Sequence, residues 1–110
     1  MKFRSSDEKI EVYETWILEA LEELGGRAEK LDVMKAIWKE HSIELMNSGD
    51  DFFRWQNDIS WAATSCRKYN YLKQANDSRK GFWEIDPDFD WYKYIPCLWE
   101  VERIQFESTP

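Results

Sequence analysis

The most informative stretch of the sequence is residues 52–85, FFRWQNDISWAATSCRKYNYLKQANDSRKGFWEI. Apolar residues recur every three or four positions in its first half, which predicts a helix over about residues 52–69. Two short segments that look like strands, 71–75 and 82–85, then flank a polar turn over 76–81, and this pattern is typical of a β-hairpin. The predicted apolar stripe of the helix consists of Phe52, Trp55, Ile59, Ala62, Ala63, Cys66 and Tyr69.

Two more helices are predicted upstream of this stretch. Residues 8–24 carry apolar side chains at helical spacing, with glutamates on most of the opposite face, and the glycines at 25–26 favour a helix end. A second helix is predicted over about residues 31–41, followed by a loop over 43–51 that is rich in turn formers. The predicted inner residues are Val12, Tyr13, Trp16, Ile17, Ala20, Leu21 and Leu24 in the first helix, and Val33, Met34, Ile37 and Trp38 in the second. The tryptophans expected in the core are Trp16, Trp38, Trp55, Trp61 and Trp83.

The order of three helices and a hairpin predicts an α+β fold, a winged helix-turn-helix, over residues 1–86. Residues 87–110 form an aromatic and acidic C-terminal extension with too many apolar side chains for a solvated tail. We therefore expect this extension to pack on the domain or on a partner, either another protein or a second copy of the chain.

Charge is distributed unevenly along the 110 residues, whose formal net charge is −7. Residues 1–51 carry 7 basic and 13 acidic side chains, and residues 86–110 carry 2 and 6. Residues 52–85 carry 6 basic and 3 acidic side chains, so the predicted third helix and hairpin form a basic segment between two acidic ones. Such an asymmetry can mark a binding face in a protein that is acidic as a whole.

The basic segment supplies the candidates for DNA binding. Cations at the end of the third helix and at the hairpin tip could contact phosphates, and uncharged polar residues on the outer side of the helix could reach base edges. The simpler alternative is an ordinary solvated surface with cations near the negative end of a helix. The candidates are Gln56, Asn57, Ser60, Thr64, Arg67, Lys68, Lys73, Arg79 and Lys80.

The sequence offers little for catalysis, metals or membranes. Cys66 and Cys97 lie in no Cys/His cluster and His41 is the single histidine, so we expect two free thiols, no metal, no cofactor and no enzyme. The charged start MKFRSSDEKIEVYE has no apolar signal core, and no apolar run is long enough to span a membrane. These observations predict a cytoplasmic protein.

Residues 14–86 resemble the amino-terminal winged-helix domain of Mrr-type restriction proteins. The matching stretches are ILEALEELGGRA at 17–28, RWQNDISWA at 54–62 and KGFWEI at 80–85. The resemblance implies DNA binding in a family tied to the restriction of modified DNA. The chain departs from the family pattern where Cys66 replaces a leucine and where residues 69–71 replace the usual alanine-glycine-leucine helix exit.

The residues and the resemblance together predict a DNA-binding module of restriction-linked or regulatory type, which contacts duplex DNA through the third helix and the hairpin wing. With few cations on that face a monomer should bind weakly, so we expect a dimer or larger assembly. The alternative is an acidic protein-interaction module on the same fold, acting as an inhibitor or DNA mimic, which the net charge of −7 favours.

Overall fold

The computed structural model describes residues 6–74 and 81–94, with side chains from Glu8 onward. The elements are helices α1 (Ser6–Glu23), α2 (Lys30–Met46) and α3 (Trp55–Lys68), a 3₁₀ turn (Gly49–Phe53), and strands β1 (Arg27–Glu29) and β2 (Phe82–Glu84). The α+β class and the three helices are therefore confirmed. Arg79, Lys80 and Cys97 lie outside the described residues.

The sheet differs from the predicted hairpin. β1 pairs antiparallel with β2, with Ala28 opposite Trp83, and this pairing was not predicted. The predicted strand 71–75 is represented by an isolated bridge between Leu72 and Ile85, beside a hydrogen bond from the Lys73 amide to the Glu84 carbonyl at 2.9 Å. β2 therefore runs between β1 and the segment that contains Leu72.

The glycine pair ends α1 as predicted. Gly25 and Gly26 have φ of 95° and 93°, which are left-handed values that other residues rarely adopt. The Gly26 amide donates to the Leu21 carbonyl at 2.6 Å and so satisfies one of the free carbonyls at the helix end. This exit turns the chain directly into β1.

Helix α2 is longer than predicted, because residues 43–46 are helical rather than part of a loop. The helix bends at His41, whose φ of −125° and ψ of 15° are non-helical. Leu45 is fully buried beyond that bend, so packing extends the helix to the point where the turn formers begin at Asn47. The ring of His41 stacks on the ring of Trp16, with 3.8 Å between their centroids.

Helix α1 is buried around its whole circumference from Val12 to Leu18. α2 and α3 pack on it, and the segment after β2 covers a further side, where the Tyr94 hydroxyl lies 2.9 Å from Thr15 Oγ1. The predicted glutamate face is wrong at Glu14, which is only 5% exposed, and Leu24 is exposed instead of buried. The spacing of apolar residues within α1 does not indicate that the segment after β2 covers another side of the helix.

The tryptophans expected in the core divide into two groups. Trp16, Trp55 and Trp83 are buried, as predicted, whereas Trp38 is partly exposed and Trp61 is 62% exposed. The ring of Trp38 lies on the surface because it stacks on Trp55, at 5.9 Å between centroids, instead of entering the core.

Glu14 is the one charged residue among the fully covered positions of α1. Burial raises its pKa to about 7; the hydrogen bond that Ser65 Oγ donates to its carboxylate at 3.1 Å opposes the shift, and nearby Glu11 adds to it. The folded state therefore binds this proton more tightly than the unfolded state does.

The Glu14→Gln variant tests this assignment. Because the folded-state pKa is raised, the free energy of unfolding should fall as pH rises from about 4.5 to about 7, by on the order of 2–3 kcal/mol from this group. Glu14→Gln should remove that part of the pH dependence and be more stable than the wild type above neutrality. Urea denaturation at several pH values measures it, with exposed Glu22→Gln as the control. An unchanged pH profile would contradict the assignment.

Candidate nucleic-acid interface

Helix α3 is held against α1 by its inner face and leaves its outer face in solvent. The inner residues Trp55, Ile59, Ala62, Ala63 and Cys66 are all buried, as predicted from their spacing. Tyr69, predicted as the last member of that stripe, is exposed, and Phe52 lies in the 3₁₀ turn before the helix. We use "outer face of α3" for the solvent side, made of Gln56, Asn57, Ser60, Trp61, Thr64 and Lys68.

The polar candidates on α3 are brought together by the helix. Gln56 and Asn57 are exposed, and their side-chain amides make no hydrogen bond within the described residues. Ser60 Oγ donates to the Gln56 carbonyl at 3.1 Å and Thr64 Oγ1 to the Ser60 carbonyl at 3.3 Å. The two amides are therefore available to a ligand, while the two hydroxyl protons are engaged by the helix backbone.

The candidate cations differ in availability. Lys68 is exposed, with its ammonium 5.7 Å from the centroid of the Tyr69 ring. Arg67 lies at the flank of the outer face with its Nε atom buried. Lys73 forms an ion pair with Glu84 at 2.9 Å, so its charge is already compensated. Among the candidates that the structure describes, Lys68 is the cation most open to a ligand.

Trp61 is a surface residue that the sequence analysis assigned to the core. It lies four residues after Asn57, three before Thr64 and seven before Lys68, which places it in the middle of the outer face of α3. The spacing in the sequence already places Trp61 on the outer face of α3, whereas its size and hydrophobicity favour a position in the core. A single exposed apolar side chain is common on protein surfaces, so the ring is a candidate contact only in combination with its polar neighbours.

The single carboxylate of α3 is neutralised from α1. Lys9 Nζ lies 2.8 Å from an Asp58 oxygen and 3.2 Å from an oxygen of Asp51, which also pairs with Arg54 at 3.2 Å. Burial opposes the charge of Lys9, but its hydrogen bonds to Asp58 and Asp51 outweigh this effect and raise its pKa. The outer face of α3 is thus shielded from the negative charge nearest to it.

Removing this lysine should destabilise the protein. Lys9→Met leaves Asp51 and Asp58 as neighbouring carboxylates with little solvent, which should lower the free energy of unfolding by about 1–2 kcal/mol. Thermal or urea denaturation near neutral pH measures the loss, and Lys39→Met, which changes an exposed lysine of α2, is the control. Equal losses in the two variants would contradict this role of Lys9.

Other kinds of site find little support in the described part of the chain. Within residues 6–74 and 81–94, no three His, Cys, Asp or Glu side chains are grouped so that they could hold a metal ion. Cys66 is a free thiol, and burial raises its pKa, which makes it unreactive. None of the described helices is long and apolar enough to cross a membrane.

Comparison with known proteins returned no match to any family model, any curated protein or any solved structure. The resemblance to Mrr-type domains therefore stays a prediction.

Proposed function

We propose that this chain is a cytoplasmic winged-helix module that binds double-stranded DNA through the outer face of α3. The observation that carries the proposal is the composition of that face. It combines two unbonded amides, an exposed tryptophan and an available lysine, and the one carboxylate of the helix is neutralised by Lys9.

The order of the elements supports the choice of fold. The chain runs α1, β1, α2, α3 and then returns along β2, which lies between β1 and Leu72. A winged helix has the same order, and its third helix packs on the first and offers its free side to the DNA groove. The segment 75–80, with Arg79 and Lys80, occupies the position in the sequence that a wing has.

Each part of the outer face has a matching feature on a duplex. Gln56 and Asn57 have the donor and acceptor pair that recognises the major-groove edge of adenine. Trp61 offers an apolar surface to base edges or thymine methyl groups, and Lys68 offers a cation to a phosphate. In a chain of net charge −7, the absence of an unneutralised carboxylate from α3 favours an anionic ligand at this surface.

The affinity for DNA should depend on the binding of more than one copy of the chain. The few cations on the outer face of α3 and on the predicted wing limit the number of phosphates that one chain can contact. Two linked copies would raise the effective concentration of the second contact, so we propose a dimer or larger assembly on DNA, in a restriction-linked or regulatory role.

Fluorescence polarisation with a labelled duplex at several salt concentrations tests the proposal. Trp61→Ala should weaken binding about tenfold without unfolding the protein, because the ring is 62% exposed. Lys68→Gln should lower the slope of log affinity against log salt by about one, as expected for one lost phosphate contact. The double variant Arg79→Ala/Lys80→Ala should lower this slope further.

The controls change similar residues elsewhere on the surface. Tyr92→Ala removes an exposed ring from the segment after β2, and Lys39→Gln removes an exposed lysine from α2; both should bind as the wild type does. Absence of binding at low salt, or equal loss in the variants and their controls, would exclude this interface. The acidic protein-interaction module would then be the remaining interpretation.

A further inference from the structure

A second surface lies beside the first, between the start of α2 and the start of α3. Two adjoining depressions of about 440 and 790 Å³ share the apolar wall residues Leu31, Met34, Phe52 and Trp55. Trp38 lines the first of them. We call this surface the α2–α3 groove. Leu31 and Trp38 expose apolar surface along this groove, whereas Met34 and Trp55 form its buried wall, so the exposed apolar side chains are grouped and not scattered singly.

Aromatic side chains in contact with one another form much of the α2–α3 groove. Trp38 stacks on Trp55 with an interplanar angle of 18°, and its ring centroid lies 6.3 Å from that of Phe52. Phe52 in turn meets Phe53 edge to face at 5.2 Å. Leu31 is 61% exposed and Phe53 is 83% exposed, so both present most of their apolar surface to a ligand. Aromatic anchors held by one another lose little entropy on binding.

The length of the α2–α3 groove matches a short helix. Leu31 and Trp38 stand seven residues apart on α2, which corresponds to about 10 Å of helix axis. Apolar anchors at positions i, i+4 and i+7 of a docked helix span the same distance, and this spacing is the usual signature of helix-in-groove recognition.

Charge at the edge of the groove selects the kind of helix. Lys30 and Lys35 are the charged residues that line the two depressions. Both are exposed, and neither forms an ion pair with another described residue. Unpaired lysines at the rim of an apolar groove attract carboxylates on the flanks of the bound segment and disfavour basic ones.

We propose that the α2–α3 groove is a docking site for an acidic amphipathic helix of a partner protein. The apolar side of the helix lies against Leu31, Trp38 and Phe53, and its carboxylates face Lys30 and Lys35. The proposal can be tested separately from DNA binding, since Leu31, Lys30 and Lys35 lie outside the outer face of α3.

A displayed library of helical peptides tests the proposal with the full chain as bait. Apolar residues are fixed at i, i+4 and i+7, and the other positions are free to be Glu, Lys, Gln or Ala. Selection on the wild type should enrich Glu at the free positions. For a selected peptide, Leu31→Glu should raise Kd at least about tenfold, whereas Ile43→Glu, the same change at an exposed α2 position outside the groove, should leave it unchanged.

The charge assignment has its own test, which does not rely on Leu31. In the Lys30→Glu/Lys35→Glu variant the selection should switch from Glu-rich to Lys-rich peptides, because the sign of the rim is reversed. Enrichment of Lys on the wild type, no enrichment at all, or full affinity in Leu31→Glu would overturn the proposal. A wild-type dimer that Leu31→Glu dissociates in sedimentation would also overturn it, because a second copy would then be the occupant.

Discussion

The burial of α1 on all sides from Val12 to Leu18 is the constraint on which the rest of this structure depends. Buried polar side chains need hydrogen-bond partners, and in this covered stretch both Glu14 and Thr15 have one. Ser65 of α3 donates to Glu14, and the Tyr94 hydroxyl meets Thr15 from the segment after β2. These two contacts join α1 to elements far away in sequence and fix which side of each element turns inward.

The position of α3 follows from that constraint, and the character of its outer face follows from its position. The small side chains Ala62, Ala63 and Cys66 are buried, which allows α3 to pack closely against α1. The larger Trp61 and most polar side chains of α3 lie on its outer face. Trp61 is then left in solvent although it is among the most hydrophobic residues of the chain. Lys9 of α1 also shapes this face, because it neutralises the nearby carboxylate of Asp58. Packing and electrostatics therefore both shape the surface to which we assign DNA binding.

Local patterns predicted the three helices, the glycine exit after α1 and the inner stripe of α3, because each depends on neighbours within a few residues. The features that were missed depend on distant contacts. The sequence predicts a solvent position for Glu14 because nothing within α1 indicates its contact with Ser65 of α3, or that the Tyr94 segment covers the neighbouring Thr15. β1 was missed because three residues acquire strand geometry only through β2, more than fifty positions later. Trp38 and Trp61 show that hydrophobicity alone is a poor guide to burial, since both rings are exposed.

The two proposed surfaces overlap at Gln56, Asn57 and Ser60, which line the larger depression of the α2–α3 groove and also lie on the outer face of α3. A helix seated in the groove would stand beside the amides that face a duplex, and its carboxylates would raise the negative potential where phosphates have to approach. The two ligands should then weaken each other by the same factor, since coupling between two binding sites is reciprocal. An acidic helix would act on DNA binding through repulsion at this shared edge, without any change in the fold. In the free protein Lys9 neutralises Asp58, the one carboxylate of α3. The carboxylates of a bound acidic helix would place new negative charge beside α3.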